Sequence, residues 1–149
     1  MRRALADGFE LDDDRARIDL DAVHAFISGE SYWGRGRTRE VVRRTVDGSQ
    51  RVVGLYRGAE QVGFARAVSD ATTVAYLADV YVLAPFRGRG LGLALVREVV
   101  DGGEGRPLAD VHWLLHTADA EELYARLGFL RGPVRYPLME RSRGYDLTP

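Results

Sequence analysis

The segment RGRGLG, residues 87–92, combines glycines with two arginines at a spacing that suits anion binding. An apolar, β-branched run precedes it and ends near Pro85, and an apolar repeat typical of a helix follows it. A helix N-terminus carries unpaired N–H groups, glycines let an anion approach them, and guanidinium groups match phosphate oxygens. The segment therefore predicts a phosphate or pyrophosphate site at a strand–loop–helix junction.

Two other nucleotide-binding loops fit this segment poorly. A P-loop needs a lysine, and the 21 cationic side chains of this chain are all arginine. The glycines fall at positions 88, 90 and 92, so the third glycine of a dinucleotide-binding fingerprint would be Leu93. A tight turn that needs glycine only for its backbone conformation remains an open alternative.

Two further side chains have types suited to proton transfer. Asp79 is a carboxylate inside an otherwise apolar run, where burial would raise its pKa toward that of a base. An ion pair with an arginine such as Arg66 is the equal alternative. His116 is a rival base because its ordinary pKa is near neutrality. His112 and His116 are too far apart along a strand to share a metal, and cysteine is absent, so we expect no metal site.

The elements that must position these residues follow an α/β order. We expect a short strand within residues 8–19, helices over 19–29 and 38–48, a hairpin over 50–70, and a central strand over 72–83. After the loop we expect a helix to residue 100, a buried strand over 111–117, a helix over 119–128, and a final strand within 135–147. This order predicts a largely antiparallel sheet with one parallel crossover through the helix after the loop.

Composition narrows the protein class. The 149 residues are 46% hydrophobic and 29% charged, as expected for one globular domain spanning residues 1–149. The formal net charge of −1 provides no basic excess for nucleic acid or an anionic membrane. We find no apolar run of membrane-spanning length and no signal-peptide pattern, so a cytoplasmic protein is expected.

These segments resemble the GCN5-related N-acetyltransferases, the GNAT family. RGRGLG matches the family's Gln/Arg-x-x-Gly-x-Gly/Ala signature, and LYARLGF, residues 123–129, resembles its next helix. The resemblance covers most of residues 52–129. It implies a single-domain GNAT-like α/β fold, with a mixed, mainly antiparallel sheet flanked by helices and a strand–loop–helix acetyl-CoA site. The activity implied is direct acetyl transfer from acetyl-CoA to an amine in a ternary complex, without a metal.

The resemblance also implies a cofactor site in two parts. In the first part, the backbone of three strand residues pairs with the pantetheine arm like an added strand: Val80, Tyr81 and Val82. In the second part, loop residues supply amides and positive charge to the phosphates: Arg87, Gly88, Arg89, Gly90, Leu91, Gly92 and Leu93. Which phosphate each arginine contacts stays open.

Tyr124 occupies the position at which many family members place the general acid. A phenol with a pKa near 10 keeps its proton at neutral pH and can protonate the departing thiolate. The alternative is a core tyrosine on an amphipathic helix. For the acceptor amine, the resemblance points to the segment between the first two helices. There Tyr32 and Trp33 could stack on the amine and Glu30 could attract it, unless Trp33 only packs under the loop. His116 would lie on the same substrate side.

Two other functions compete with the transferase. One is a non-catalytic acyl-CoA sensor that keeps the anion site, and the other is a nucleotide-binding domain. The expected partners are acetyl-CoA and an amine, with no nucleic acid and no membrane. The polar residues 140–149 are suited to packing across a homodimer.

Overall fold

The computed structural model describes residues 1–132 and 137–139. Its strands are β1 (Arg2–Ala4), β2 (Phe9–Asp12), β3 (Arg51–Arg57), β4 (Glu60–Ser69), β5 (Val74–Val82) and β6 (His112–Leu114). Its helices are α1 (Leu20–Ala25), α2 (Arg39–Asp47), α3 (Leu91–Asp101) and α4 (Glu121–Ala125). The six strands form one sheet in chain order. Every neighbouring pair is antiparallel except β5 and β6, which are parallel and joined through α3. The mixed α/β sheet and its single crossover are confirmed.

The two N-terminal helices follow their predicted signals with one exception. Asp19 caps α1 by accepting from the N–H groups of Asp21 and Ala22, and Thr38 caps α2 by accepting from Val41. The first helix is shorter than predicted, because after Ala25 the chain continues as a π-helical turn, Phe26–Glu30. Such turns break the regular ladder and re-aim the residues that follow.

No sequence pattern predicted β1, which pairs with β2 to form an N-terminal hairpin. Its three residues, Arg2–Ala4, are all exposed and carry no apolar alternation. The expected final strand within residues 135–147 and the dimer-suited residues 140–149 lie outside the described residues, apart from 137–139. In the part that is described, no helix is long and apolar enough to cross a membrane.

The sheet separates two apolar cores. The first core lies against α3, whose buried side chains repeat with helical period: Leu91, Leu95, Val96, Val99 and Val100. The second core lies against α1 and α2 and is built from Val23, Phe26, Ile27, Val42, Val46, Val52, Phe64 and Tyr81. Glu98 is also buried on α3, where its Oε1 accepts from Arg51 at 2.9 Å and from the Gly103 N–H at 3.1 Å. This ion pair fastens the end of α3 to β3.

The side chains of strand β5 change the face of the sheet on which they lie at Asp79. Leu77 and Val82 both face the first core although they are an odd number of residues apart, which regular alternation forbids. Ala78 pairs with Arg66 and Tyr81 pairs with Phe64, so two residues of β5 oppose one residue of β4. This is a β-bulge. Asp79 has a φ of 51°, in the left-handed region that residues other than glycine seldom adopt.

Gly63 on β4 permits the close approach of this part of β5. A Cβ at Gly63 would lie 2.8 Å from the Tyr81 carbonyl oxygen, which is backbone and cannot rotate away. We expect Gly63→Ala to lower the free energy of unfolding by about 1–3 kcal/mol through overpacking, measured by urea denaturation. Gly29→Ala is the control, because a Cβ there meets nothing within 4 Å, and it should change stability by less than about 0.5 kcal/mol. Equal losses in the two variants would contradict this account.

Candidate active site

The glycine loop forms an open, uncapped helix N-terminus. Gly88 and Gly90 have φ values of 77° and 74°, and Gly90 precedes α3 without a side-chain cap. The first intrahelical hydrogen bond runs from the Ala94 N–H to the Gly90 oxygen at 3.1 Å, so the N–H groups of residues 91–93 have no partner within the helix. A Cβ at either glycine would meet nothing within 4 Å. Open space in front of free amides fits a pyrophosphate.

Gly92, the last glycine of the signature, has a packing role. A Cβ at Gly92 would lie 3.1 Å from Leu123 Cδ1, so glycine lets α4 pack tightly against the first turn of α3. This packing brings Tyr124, the residue after Leu123, close to the loop. The signature therefore has one part that leaves open space beside the helix N-terminus and one part that positions the next helix.

The two loop arginines are placed differently. Arg87 donates from Nε to the Val82 carbonyl at 2.7 Å and so ties the loop to the end of β5. Arg89 is exposed and lines a cavity of about 190 Å³ with Leu5 and Phe9 of the N-terminal hairpin. The hairpin that the sequence did not reveal therefore forms one wall beside the glycine loop.

The edge of β5 is open where the pantetheine contacts are predicted. Strand β6 pairs with β5 only over Val74–Tyr76. Beyond Tyr76 the edge that includes Val80, Tyr81 and Val82 pairs with no other strand of residues 1–132 and 137–139. Unpaired strand groups of this kind accept an extended ligand as an added strand.

Asp79 is buried and held by three donors. Its Oδ1 accepts from Trp33 Nε1 at 2.8 Å and from Arg37 at 3.0 Å, and its Oδ2 accepts from Arg66 Nε at 2.7 Å. Burial pulls the pKa of Asp79 upward, but Arg66, Arg37 and Trp33 outweigh it and hold the pKa below its ordinary value. These contacts match the predicted alternative, an ion pair between Asp79 and Arg66. Trp33 and Arg37 are two further partners that the sequence did not indicate. The role of Asp79 as a base stays a prediction.

Of the acceptor candidates, Trp33 contacts Asp79 and Tyr32 packs against Trp33. Trp33 is partly buried against Phe26, with ring centroids 6.3 Å apart, so it packs as well as donating to Asp79. Tyr32 is 54% exposed and its hydroxyl accepts from the Ala118 N–H at 2.9 Å. Glu30 is exposed at the end of the π-helical turn. The structure thus leaves Tyr32 and Glu30 accessible to a substrate and turns the Trp33 N–H inward.

Tyr124 is buried on α4, edge-on to Phe129 with ring centroids 5.9 Å apart. Burial, together with the nearby Tyr32, Asp119 and Tyr76, raises the pKa of Tyr124 to about 12. The phenol therefore keeps its proton at neutral pH.

Tyr76 is a site neighbour that sequence reasoning missed. Its hydroxyl lies 2.6 Å from His116 Nδ1, across the diverging strands β5 and β6. Only the parallel register, which pairs Tyr76 with Leu114, brings these two side chains together. In the described part of the chain, no group of three or more His, Asp or Glu side chains is placed to hold a metal ion.

Asp79 should contribute stability that disappears in acid. Its folded-state pKa is lowered, so the contribution is present above the ordinary carboxyl pKa and is lost as pH falls through the folded-state value. At neutral pH, Asp79→Asn should cost about 3 kcal/mol or more, because it leaves Arg66, whose side chain is 11% exposed, and the partly exposed Arg37 without their carboxylate. The difference from wild type should shrink as pH approaches about 3 in a series of urea denaturations.

The exposed Asp47, which pairs with Arg43 on α2, provides the control for this series. Asp47→Asn should change stability by less than about 0.5 kcal/mol at every pH. A difference between Asp79→Asn and wild type that stays constant down to about pH 3 would contradict the lowered pKa.

Comparison with known proteins gives a family match and a shared fold. The family model described as the acetyltransferase (GNAT) family matches residues 20–129. A Xanthomonas campestris protein assigned to the GNAT family has a crystal structure 34% identical in sequence, with a TM-score of 0.82, covering 91% of this chain and 93% of that one. A Deinococcus radiodurans protein named as an acetyltransferase shares the fold, with 22% identity, a TM-score of 0.69 and 93% coverage of both chains.

A Gibberella zeae protein, also named as an acetyltransferase, is 29% identical over 110 residues, which cover 60% of this chain and 62% of that protein. The match therefore spans less than two thirds of the fungal protein.

Proposed function

Because the chain belongs to the GNAT family of acetyltransferases, we propose that it transfers an acetyl group from acetyl-CoA directly to an amine within a ternary complex. The observation that carries the proposal is the uncapped N-terminus of α3 beside the open edge of β5. The helix N-terminus suits a pyrophosphate, and the open strand edge suits an extended arm that contains amides. We take residues 1–149 as one such domain and the reaction as cytoplasmic, as the sequence predicts.

Acetyl-CoA supplies a thioester whose carbonyl carbon accepts the amine and whose sulfur leaves as a thiolate. The backbone of Val80, Tyr81 and Val82 would hold the pantetheine arm. The amides of residues 88–93 would hold the pyrophosphate, and exposed Arg89 would meet an outer phosphate. Arg87 would act mainly by fastening the loop to Val82.

Tyr124 is the proposed general acid. As the carbon–nitrogen bond forms and the carbon–sulfur bond breaks, the phenol gives its proton to the sulfur and regains one from solvent. Its pKa of about 12 keeps the phenol protonated at neutral pH, so that it is a donor when the thiolate develops. The amine must lose a proton before or during its attack. Since all three donors around Asp79 engage its oxygens, His116 and water are the remaining candidates to receive that proton.

Binding is tested by thermal unfolding with acetyl-CoA. At about one hundred times the dissociation constant, the ligand should add about 2.7 kcal/mol to the free energy of unfolding. Gly90→Glu should abolish this gain, because it puts a carboxylate where a phosphate approaches the amides. Gly105→Glu is a matched control, since Gly105 also has positive φ and open space around it. A gain that survives Gly90→Glu, or is absent from the wild type, would contradict the proposed site.

Catalysis is tested by Tyr124→Phe, which removes one oxygen and keeps the ring. Turnover should fall about a hundredfold while the affinity for acetyl-CoA is nearly kept, because only proton donation is lost. Tyr56→Phe is the control: burial also raises the pKa of Tyr56 to about 12, but its hydroxyl donates to the Arg17 carbonyl, outside the proposed site. Equal turnover in the two variants would remove Tyr124 from the mechanism.

The acceptor is sought with a panel of amines, by following release of free CoA thiol and the mass of the product. Thiol release that depends on one class of amine would identify the substrate. Tight acetyl-CoA binding without release for any amine would favour the acyl-CoA sensor instead.

A further inference from the structure

The connection between the π-helical turn and α2, residues 31–38, has an ordered fold of its own. We name it the strap. Ser31 Oγ donates to the Ile27 carbonyl at 2.6 Å and accepts from the Gly34 N–H at 3.0 Å. The Arg37 N–H donates to the Gly34 carbonyl at 3.0 Å. These bonds set the directions of the side chains that leave the strap.

One end of the strap is fastened to the bulge of β5. Trp33 and Arg37 are both strap residues, and both donate to Asp79. Arg66 of β4 engages the other oxygen of the same carboxylate, which is only 4% exposed. A carboxylate that already accepts from three directions has little capacity left for a substrate proton, but it is well placed to hold a loop.

The other end of the strap reaches across the gap between the diverging strands β5 and β6, which we call the cleft. Tyr32 contacts Trp33 edge to face, with ring centroids 4.9 Å apart, and its hydroxyl accepts from the Ala118 N–H at 2.9 Å. Ala118 lies between β6 and α4, the helix that carries Tyr124. The strap therefore links the bulge of β5 with the start of α4 and spans the gap where β5 and β6 diverge.

We propose that Asp79 is a positioning residue that acts through Trp33 and Arg37, holding the strap so that Tyr32 closes the acceptor side of the cleft. This inference rests on the proposed acetyl transfer to an amine. Ordering eight residues costs conformational entropy, and the buried contacts to Asp79 offset it. When the strap is held less firmly, a smaller fraction of the molecules has an ordered strap. The apparent Kd for the amine then rises in inverse proportion to that fraction. A saturating concentration of amine restores the ordered strap, so kcat stays the same as in wild type.

Two conservative variants test the strap without removing the carboxylate. Trp33→Phe loses the indole N–H to Asp79, and Tyr32→Phe loses the hydroxyl that accepts from Ala118. Each should raise the KM for the amine about tenfold, as expected for one lost hydrogen bond in the cleft. The kcat at saturating amine, the Kd for acetyl-CoA and the pH profile of kcat/KM should stay within about twofold of wild type. Asp79→Asn, where it folds, should raise the same KM and keep the same pH profile.

The chain offers matched controls for both changes. Trp113→Phe removes an indole N–H that donates to the Leu108 carbonyl, and Tyr56→Phe removes a hydroxyl that donates to the Arg17 carbonyl. Neither should change the KM for the amine. If Asp79 is instead the base, Asp79→Asn will lower kcat about a hundredfold and remove the acidic limb of the pH profile. That result, or an unchanged KM in both strap variants, overturns the proposal.

Amide hydrogen exchange separates a failure of this inference from a failure of the proposed function. In Trp33→Phe, the strap amides of Gly34 and Arg37 should exchange faster than in wild type, and in Tyr32→Phe the Ala118 amide should exchange faster. This readout needs neither acetyl-CoA nor an amine. Faster exchange in a protein that acetylates no amine would refute the proposed transferase function and support the proposal that Asp79 holds the strap. Unchanged exchange in both variants would refute the proposal that these contacts hold the strap, whatever the activity of the protein.

Discussion

The cleft depends on one buried carboxylate at one irregular backbone position. Asp79 adopts positive φ at a bulge, and the extra residue returns Val82 to the first core while Tyr81 faces the second. Burying a charge is costly unless it is paired and hydrogen-bonded. Arg66, Arg37 and Trp33 supply that pairing from β4 and from the strap. The same contacts therefore stabilise the bulge, join the α1–α2 layer to the sheet, and orient the acceptor side.

The cofactor side is formed by different means. Because β5 and β6 are parallel, the chain must cross over the sheet between them, and α3 makes that crossing. The crossover starts at the carboxyl end of β5, so the N-terminus of α3 lies directly beyond the strand edge that β6 leaves open. An anion site and an extended-chain site thus become neighbours through connectivity alone. A cofactor with a pyrophosphate and an amide-containing arm matches both.

The two sides of the cleft differ in how readily they could be read from the sequence. The loop, its strand and its helix are contiguous, so residues 74–101 carry their own signals of apolar pattern and glycine spacing. The signals for helix ends are also local, because the caps Asp19 and Thr38 bind N–H groups two or three residues further along the chain. The acceptor side joins Tyr32 to Ala118 and Trp33 to Asp79, pairs that are 86 and 46 residues apart. Sequence reasoning named most of these residues as candidates but could not pair them, and it missed Arg37 and Tyr76.

By itself, the sequence determined the α/β class and the family resemblance, and it predicted an anion-binding junction, because each depends on residues close together along the chain. Only the tertiary structure decided that Asp79 accepts from three donors, that Trp33 turns inward, and that a hairpin containing β1 flanks the loop. A carboxylate in an apolar strand has the same sequence signature whether it is a base or the anchor of a loop. The choice depends on which cations the fold brings within hydrogen-bonding distance, and those cations are far away in the chain.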